Sequence, residues 1–136
     1  MDGDTCPLDL VTSAQRTALL TMQIDAMKRD DFIGVWCAET IYHKYTFDDT
    51  CPERGQCAVT ALLVNDLLGG EIVYNKKLNH YFNTVNGNVI DLTRGQFNIE
   101  SISIDKIVDR KKLCNGHTKK RYLVLKERGA FILKKF

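Results

Sequence analysis

Proline is scarce in this sequence, with two in 136 residues, and tryptophan is present once. Apolar residues make up 44% of the chain and charged residues 26%. That is close to the soluble average, and the balance excludes a disordered chain, a collagen-like repeat and a coiled coil. Long hydrophobic runs are missing too. The longest, Ala58 to Leu68, is interrupted by Thr60, Asn65 and Asp66, short of the roughly 18 apolar residues a membrane span needs. The opening MDGDTCPLDL is acidic and has no apolar h-region, so no secretory address is expected and a cytoplasmic location is. The length suits one domain over residues 1–136, with residues 1–10 patternless and expected to be a loose arm.

Paired CxxC motifs are absent as well. The five cysteines, Cys6, Cys37, Cys51, Cys57 and Cys114, are an odd set that cannot pair completely within one chain. In a reducing compartment such thiols read as core residues, metal ligands or a nucleophile. Cys114-x-x-His117 is half of a zinc knuckle, but Cys51 and Cys57 have five residues between them, too many for the other half. No metal and no organic cofactor is expected.

Local patterns place the elements. Thr12 and Gln15 are spaced as a capping box, opening a helix to about Lys28 with Leu19, Leu20, Ile24 and Met27 as its apolar stripe. Asp31 to Tyr45 has no clear period, and Phe47 to Gln56 reads as a loop. Cys57 to Leu68 reads as a helix whose three polar residues fall on different sides, so protein wraps most of it; Gly69-Gly70 ends it. Three β-like runs follow, Glu71–Asn75, Asn79–Val85 and Asn88–Leu92, the last two joined by Asn86-Gly87, the strongest short hairpin signal. Thr93 and Gln96 offer a second capping box. Residues 99–108 resist assignment, and Thr118 to Arg128 reads as a helix ending at Gly129.

The hairpin yields a geometric expectation. With a two-residue turn at Asn86-Gly87, Val85 faces Asn88 and facing residue numbers sum to 173, so Phe82 faces Asp91 and His80 faces Thr93. His80, Phe82 and Asp91 then share one sheet face, with His80 and Asp91 diagonal neighbours within hydrogen-bonding reach. A three-residue loop would move Asp91 to the other face. A thiol at a helix N-terminus, Cys57, completes a nucleophile–base–orienter set, because free helical N–H groups and a neighbouring imidazolium stabilise a thiolate. Gly55 allows close approach of a substrate backbone, and the Cys57 N–H or the Gln56 side chain can donate to an oxyanion. Each residue also has a structural alternative: a small core thiol, a strand histidine, a turn aspartate. Asn83 falls on the opposite face from His80 and reads as structural. Arg94 and Gln96 are candidate supports for Asp91.

The stretch GQCAVTALLVNDLLGGEIVYN (Gly55 to Asn75), followed by NHYFN (Asn79 to Asn83) and IDLTRGQF (Ile90 to Phe97), resembles the YunG-like family of small bacterial proteins. Trp36 and TKKRYLVL (Thr118 to Leu125) extend the resemblance to about residues 32–125. It implies a relative rather than a reaction. The wider similarity is to the papain-like and transglutaminase-like fold, in which a helix carries a cysteine and an antiparallel sheet carries histidine, then aspartate. Carried over by motif, these fall on Cys57, His80 and Asp91, with Tyr81 or Phe82 as the aromatic often found near the histidine. The 11-residue gap from His80 to Asp91 is shorter than many members of that fold use.

Charge is unevenly spread. Residues 1–104 carry 8 basic and 14 acidic side chains, whereas residues 105–136 carry 11 and 3. The clusters Arg110-Lys111-Lys112, Lys119-Lys120-Arg121 and Lys134-Lys135 can meet phosphates. Few aromatics interleave with them, no RNP or helix-turn-helix pattern appears, and the acidic remainder repels nucleic acid, so nucleic-acid binding is not expected. The resulting expectation is an α+β domain with the Cys57 helix buried on an antiparallel sheet. Its leading function is cysteine-dependent hydrolysis or acyl transfer on a small-molecule, peptide or protein substrate. The alternative is a non-catalytic domain binding a protein partner or anionic ligand through its basic third.

Overall fold

A computed structural model describes residues 12–134; the expected arm at residues 1–10 lies outside them. The elements in order are α1 (Ser13–Ala26), a 3₁₀ turn (Arg29–Phe32), α2 (Cys57–Leu68), β1 (Glu71–Asn75), β2 (His80–Val85), β3 (Asn88–Ile90), a second 3₁₀ turn (Arg94–Gln96), β4 (Lys106–Val108), α3 (Arg110–Leu113), α4 (Gly116–Arg128) and α5 (Ala130–Leu133). The architecture is mixed α+β, and the four strands form one antiparallel sheet in the order β3-β2-β1-β4. Among the described residues no helix is long and apolar enough to cross a membrane.

Helix α2 is the centre of the core. Ala58 through Val64 are all buried, matching the absence of a polar face in the sequence. Sheet, Trp36 and α4 surround it. Leu62 and Leu63 are fully enclosed, in one apolar cluster with Ile72, Val85, Tyr122 and Leu125; each large apolar side chain so removed from water contributes about 1.5–3 kcal/mol. Two polar anchors set the packing without leaving groups unsatisfied. Trp36 Nε1 donates to Thr60 Oγ1 at 2.9 Å, and Asn83 Nδ2 donates to the Ala61 carbonyl at 2.9 Å. Asn83 therefore fastens β2 to α2 from the sheet face opposite His80, the structural role its register implies.

The Asn86-Gly87 turn forms as its chemistry requires. Both residues have positive φ, 50° and 81°, and Val85 pairs with Asn88. Facing residues sum to 173. Strand β3 is shorter than the apolar pattern, ending at Ile90 rather than Leu92, because Asp91 leaves the ladder and turns its carboxylate to His80. Strand β2 begins one residue late because Asn79 has a φ of 49°.

Other expectations need correction. The Thr12–Gln15 capping box is present, but Leu19 faces solvent; Leu20 and Ile24 carry the contact with the core. The proposed Thr93–Gln96 box is not formed. Thr93 turns its hydroxyl to Asp91, and the Gln96 amide donates to the Thr93 carbonyl, which closes a 3₁₀ turn instead of capping a helix. Helix α4 starts two residues early, at Gly116 with Asn115 as its N-cap, so His117 lies inside its first turn. The unassigned residues 99–108 end in β4, which crosses from the β3 side to pair with β1.

Gly70 follows α2 with a φ of 71°, and a Cβ there would lie 2.3 Å from the Thr84 carbonyl oxygen and 3.0 Å from Val85 Cα. Backbone cannot yield as a side-chain tip can. Gly70→Ala is expected to cost about 2–4 kcal/mol. Gly87→Ala, at positive φ in open space, should cost only about 1–2 kcal/mol. Urea denaturation of both variants checks the ordering; equal costs would mean the Thr84 contact is not rigid.

Candidate active site

His80 is the best-defined residue of the site. Its side chain is 0% exposed and that of Asp91 is 6%. The ring stacks on Phe82, with centroids 5.5 Å apart, and meets the edge of Phe97 at 4.8 Å. Nε2 lies 2.7 Å from Asp91 Oδ2, the diagonal contact that the hairpin register predicts. A carboxylate only accepts hydrogen bonds, so Nε2 carries the proton and a neutral ring presents its lone pair at Nδ1. Nδ1 is buried and makes no hydrogen bond of closed geometry among the described residues. Cys57 Sγ lies near enough to act on the charge of the ring. Contacts between catalytic groups are often long before a substrate binds.

The imidazole's pKa is raised from its ordinary 6.5 to about 9. Burial works against the charged ring, but the hydrogen bond to Asp91, the adjoining Cys57 sulfur and the charges of both outweigh it. A folded-state pKa above the unfolded one means the protonated ring stabilises the fold. That contribution is complete below pH 6.5 and is lost as pH rises through 9. Chemical denaturation between pH 6 and 10 should show wild-type stability falling across this window, with a shallower fall in Asp91→Asn. Parallel profiles for the two proteins would remove the His80–Asp91 interaction as the cause.

Cys57 occupies the first residue of α2, where helical N–H groups lack intrahelical acceptors. It is half-buried, and together with Cys37, Cys51 and Cys114 it is a free thiol. It lines a cavity of about 150 Å³ whose wall includes Tyr42, Tyr81, Gln96, Phe97 and Arg121. Tyr81, one of the two aromatics singled out beside His80, faces this cavity; Phe82 lies beneath the imidazole.

The supporting residues have separate tasks. Gly55 has a φ of 75°, and the space a Cβ would take is filled by Ile41 and Tyr45, so glycine is required there by packing. Its N–H donates to Gln96 Oε1 at 3.3 Å. Because the Gln96 amide also bonds the Thr93 carbonyl at 3.0 Å, Gln96 ties the turn before Cys57 to the turn after Asp91. Gln56 is fully buried, does not line the cavity, and uses its amide to donate to the Cys37 carbonyl at 3.3 Å. Arg94 donates to the Ile99 carbonyl at 2.7 Å, away from Asp91. Glu53, also buried, is held by Arg29 and fills the space beside Gly95. Among the described residues no group of three His, Cys, Asp or Glu is arranged to hold a metal ion.

The basic third divides by residue. Arg110 pairs with Asp66 at 2.6 Å and donates to the Leu62 carbonyl. Arg128 donates to the Val35 and Gly34 carbonyls. Lys111, Lys112, Lys119 and Lys120 are exposed. Arg121 was grouped with those lysines in the sequence but faces the cavity. Helical spacing holds the signal for this, since Thr118, Arg121, Tyr122 and Leu125 lie on one stripe of α4.

Fold and site together define a small α+β protein with a thiol on a buried helix beside a histidine–aspartate pair. The sequence matches the YunG protein family over residues 27–133, and the chain belongs to that family. It is 43% identical over 51 residues to the uncharacterized protein YunG of Bacillus subtilis (strain 168), a match covering 36% of this chain and 44% of that relative, so it spans less than half of the relative's length. No solved structure matches.

Proposed function

We propose that the protein is a cysteine-dependent hydrolase or acyltransferase acting through Cys57, His80 and Asp91, with the helix-then-hairpin order of papain-like and transglutaminase-like enzymes. The observation that carries this reading is the enclosed His80–Asp91 hydrogen bond of 2.7 Å on a ring that also interacts with a cavity-lining thiol. A structural histidine needs no thiol partner at a helix N-terminus and no carboxylate held behind it.

In the proposed reaction the imidazole takes the Cys57 proton at Nδ1, and the thiolate adds to the carbonyl carbon of an amide or thioester. The carbonyl π pair moves to oxygen, where the N–H groups at the start of α2 meet it. Collapse breaks the bond to the leaving group, which departs with the proton from the imidazolium and leaves an acyl thioester on Sγ. Water, or an amine acceptor, then gives its proton to His80 and attacks that thioester, releasing product and the thiol. Asp91 holds the ring in one tautomer throughout.

Alkylation by iodoacetamide at pH 6, read cysteine by cysteine by mass spectrometry, tests the pair without a known substrate. An isolated thiol, with a pKa of about 8.5, is nearly all protonated at that pH. Cys57 is expected to react faster in the native protein than in the denatured chain, and faster than Cys37, Cys51 and Cys114. A native Cys57 no faster than its denatured counterpart would remove the activated thiol.

A further inference from the structure

We propose that Arg121 receives a carboxylate on the substrate, so that Cys57 acts on short acyl groups ending in a carboxylate. This rests on the acyl-transfer reading above and names the substrate class for it.

Arg121 lines the same cavity as Cys57. Among the described residues its guanidinium bonds only neutral oxygens: Nη1 donates to the Thr40 carbonyl at 3.5 Å, and Nη2 to Thr118 Oγ1 at 3.2 Å. Nε is buried with no hydrogen-bond partner among the described residues. The group lies over the Tyr42 ring, 5.5 Å from its centroid. None of the ion pairs among the described residues involves it, whereas Arg29 and Arg110 each hold a carboxylate. Removing a cation from water without a counter-charge is costly, and burial lowers the pKa of Arg121, with Cys57 and Tyr42 acting the other way.

A guanidinium so placed is ready for an anion supplied from the cavity, and its planar fork matches a carboxylate. Size and charge narrow the ligand. A cavity of about 150 Å³ admits a guest the size of benzene, about six heavy atoms. Among the described residues Arg121 is the only arginine or lysine on the cavity wall, so a monoanionic carboxylate is balanced by it and a phosphate dianion is not.

Charge-matched reagents test this on the unaltered protein. Iodoacetate and iodoacetamide, and likewise 3-iodopropionate and 3-iodopropionamide, differ only in the anionic group, and the acid-to-amide rate ratio cancels any change in how much thiolate is present. At native Cys57 at least one acid should exceed its amide, relative to the same ratio in the denatured chain, by about tenfold or more, roughly what one charge-assisted hydrogen bond supplies. Arg121→Gln should bring the ratio to within about twofold of the denatured value, and Arg121→Lys, which keeps the charge without the fork, should hold part of it. If Cys57 reacts readily with the amides but the native ratios equal the denatured ones, carboxylate recognition is overturned while the thiol chemistry stands. Equal slowing of acid and amide in Arg121→Gln also overturns it, because Arg121 then serves the thiolate alone.

Calorimetric titration with butyrate, butyramide and inorganic phosphate decides the matter independently of the thiol. Binding of butyrate but not butyramide, lost in Arg121→Gln, upholds the site even if Cys57 is inert to every reagent, an outcome that sinks the catalytic reading instead. Failure of butyrate to bind, or tighter binding of phosphate, overturns the carboxylate class.

Discussion

Replacing His80 with alanine is expected to slow alkylation of Cys57 by iodoacetamide at pH 6 by about twentyfold. The figure follows from two opposing effects. An isolated thiol is ionised to about one part in 300 at pH 6, whereas a thiol held against an imidazolium is ionised almost completely. The stabilised thiolate is the weaker nucleophile, by about tenfold to twentyfold over that range, which cancels much of the gain. His80 is wholly enclosed against Phe82 and Phe97, so the alanine variant also leaves a cavity. A His80→Gln variant fills most of that space without supplying a base. Both proteins are checked by thermal denaturation, and alkylation is compared only where they are folded. If Cys57 keeps its parent rate at pH 6 in a folded variant, His80 does not activate it.

The second large effect is expected at Asp91. Asp91→Asn keeps the shape of the side chain and removes its charge. The new amide can donate to Nε2, which moves the ring proton to Nδ1 and leaves no lone pair toward Cys57. In a Ser-His-Asp triad the equivalent change lowers turnover about 10⁴-fold with geometry intact, and a loss of about 10³–10⁴-fold is expected here for any substrate that is turned over. Alkylation at pH 6 should fall by about tenfold, since a neighbouring carboxylate shifts an ionisable partner by one pKa unit or more. Folding should survive, because Thr93 and the Gln96 bridge hold the turn independently of the Asp91 charge. Undiminished thiol reactivity in a folded Asp91→Asn protein would make Asp91 a turn residue and nothing more.

The two predictions separate because His80 and Asp91 enter the site by different routes. Strand β2 carries His80, and its place is set by pairing with β1, where it faces Asn75. Asp91 sits just past β3, where the ladder stops, and its carboxylate is further approached by the Thr93 hydroxyl at 3.4 Å. Their 11-residue separation is short because a two-residue turn brings the strands back at once.

That turn is also why so much of the site was legible. Asn86-Gly87 is a local signal, since both positions need positive φ. Once the turn is set, alternation along two strands places His80, Phe82 and Asp91 without knowledge of the rest. The ends of α2 were equally local: Pro52 and Gly55 break the chain before it, Gly69 and Gly70 after it, and its residues leave no face for water. The contact between Cys57 and His80 belongs to another class. The register of the hairpin says nothing about where the start of α2 meets the sheet; the packing of Ala61 against Asn83 and of Thr60 against Trp36 decides that.

The amino-acid sequence by itself determined the helix from Cys57 and the Asn86-Gly87 hairpin and, on condition of a two-residue turn, the register that sets His80 beside Asp91, because each is read from residues close along the chain. Only the tertiary structure decided where β4 joins the sheet, that Gln56 spends its amide on Cys37, and that Gln96 bridges the two turns. It alone set Arg121 in the cavity with Cys57. Helical spacing puts Arg121 on the stripe of α4 that carries Tyr122 and Leu125, but does not say what lies opposite that stripe. The rest of the fold decides which carboxylates come within reach, and Arg121 receives none among the described residues.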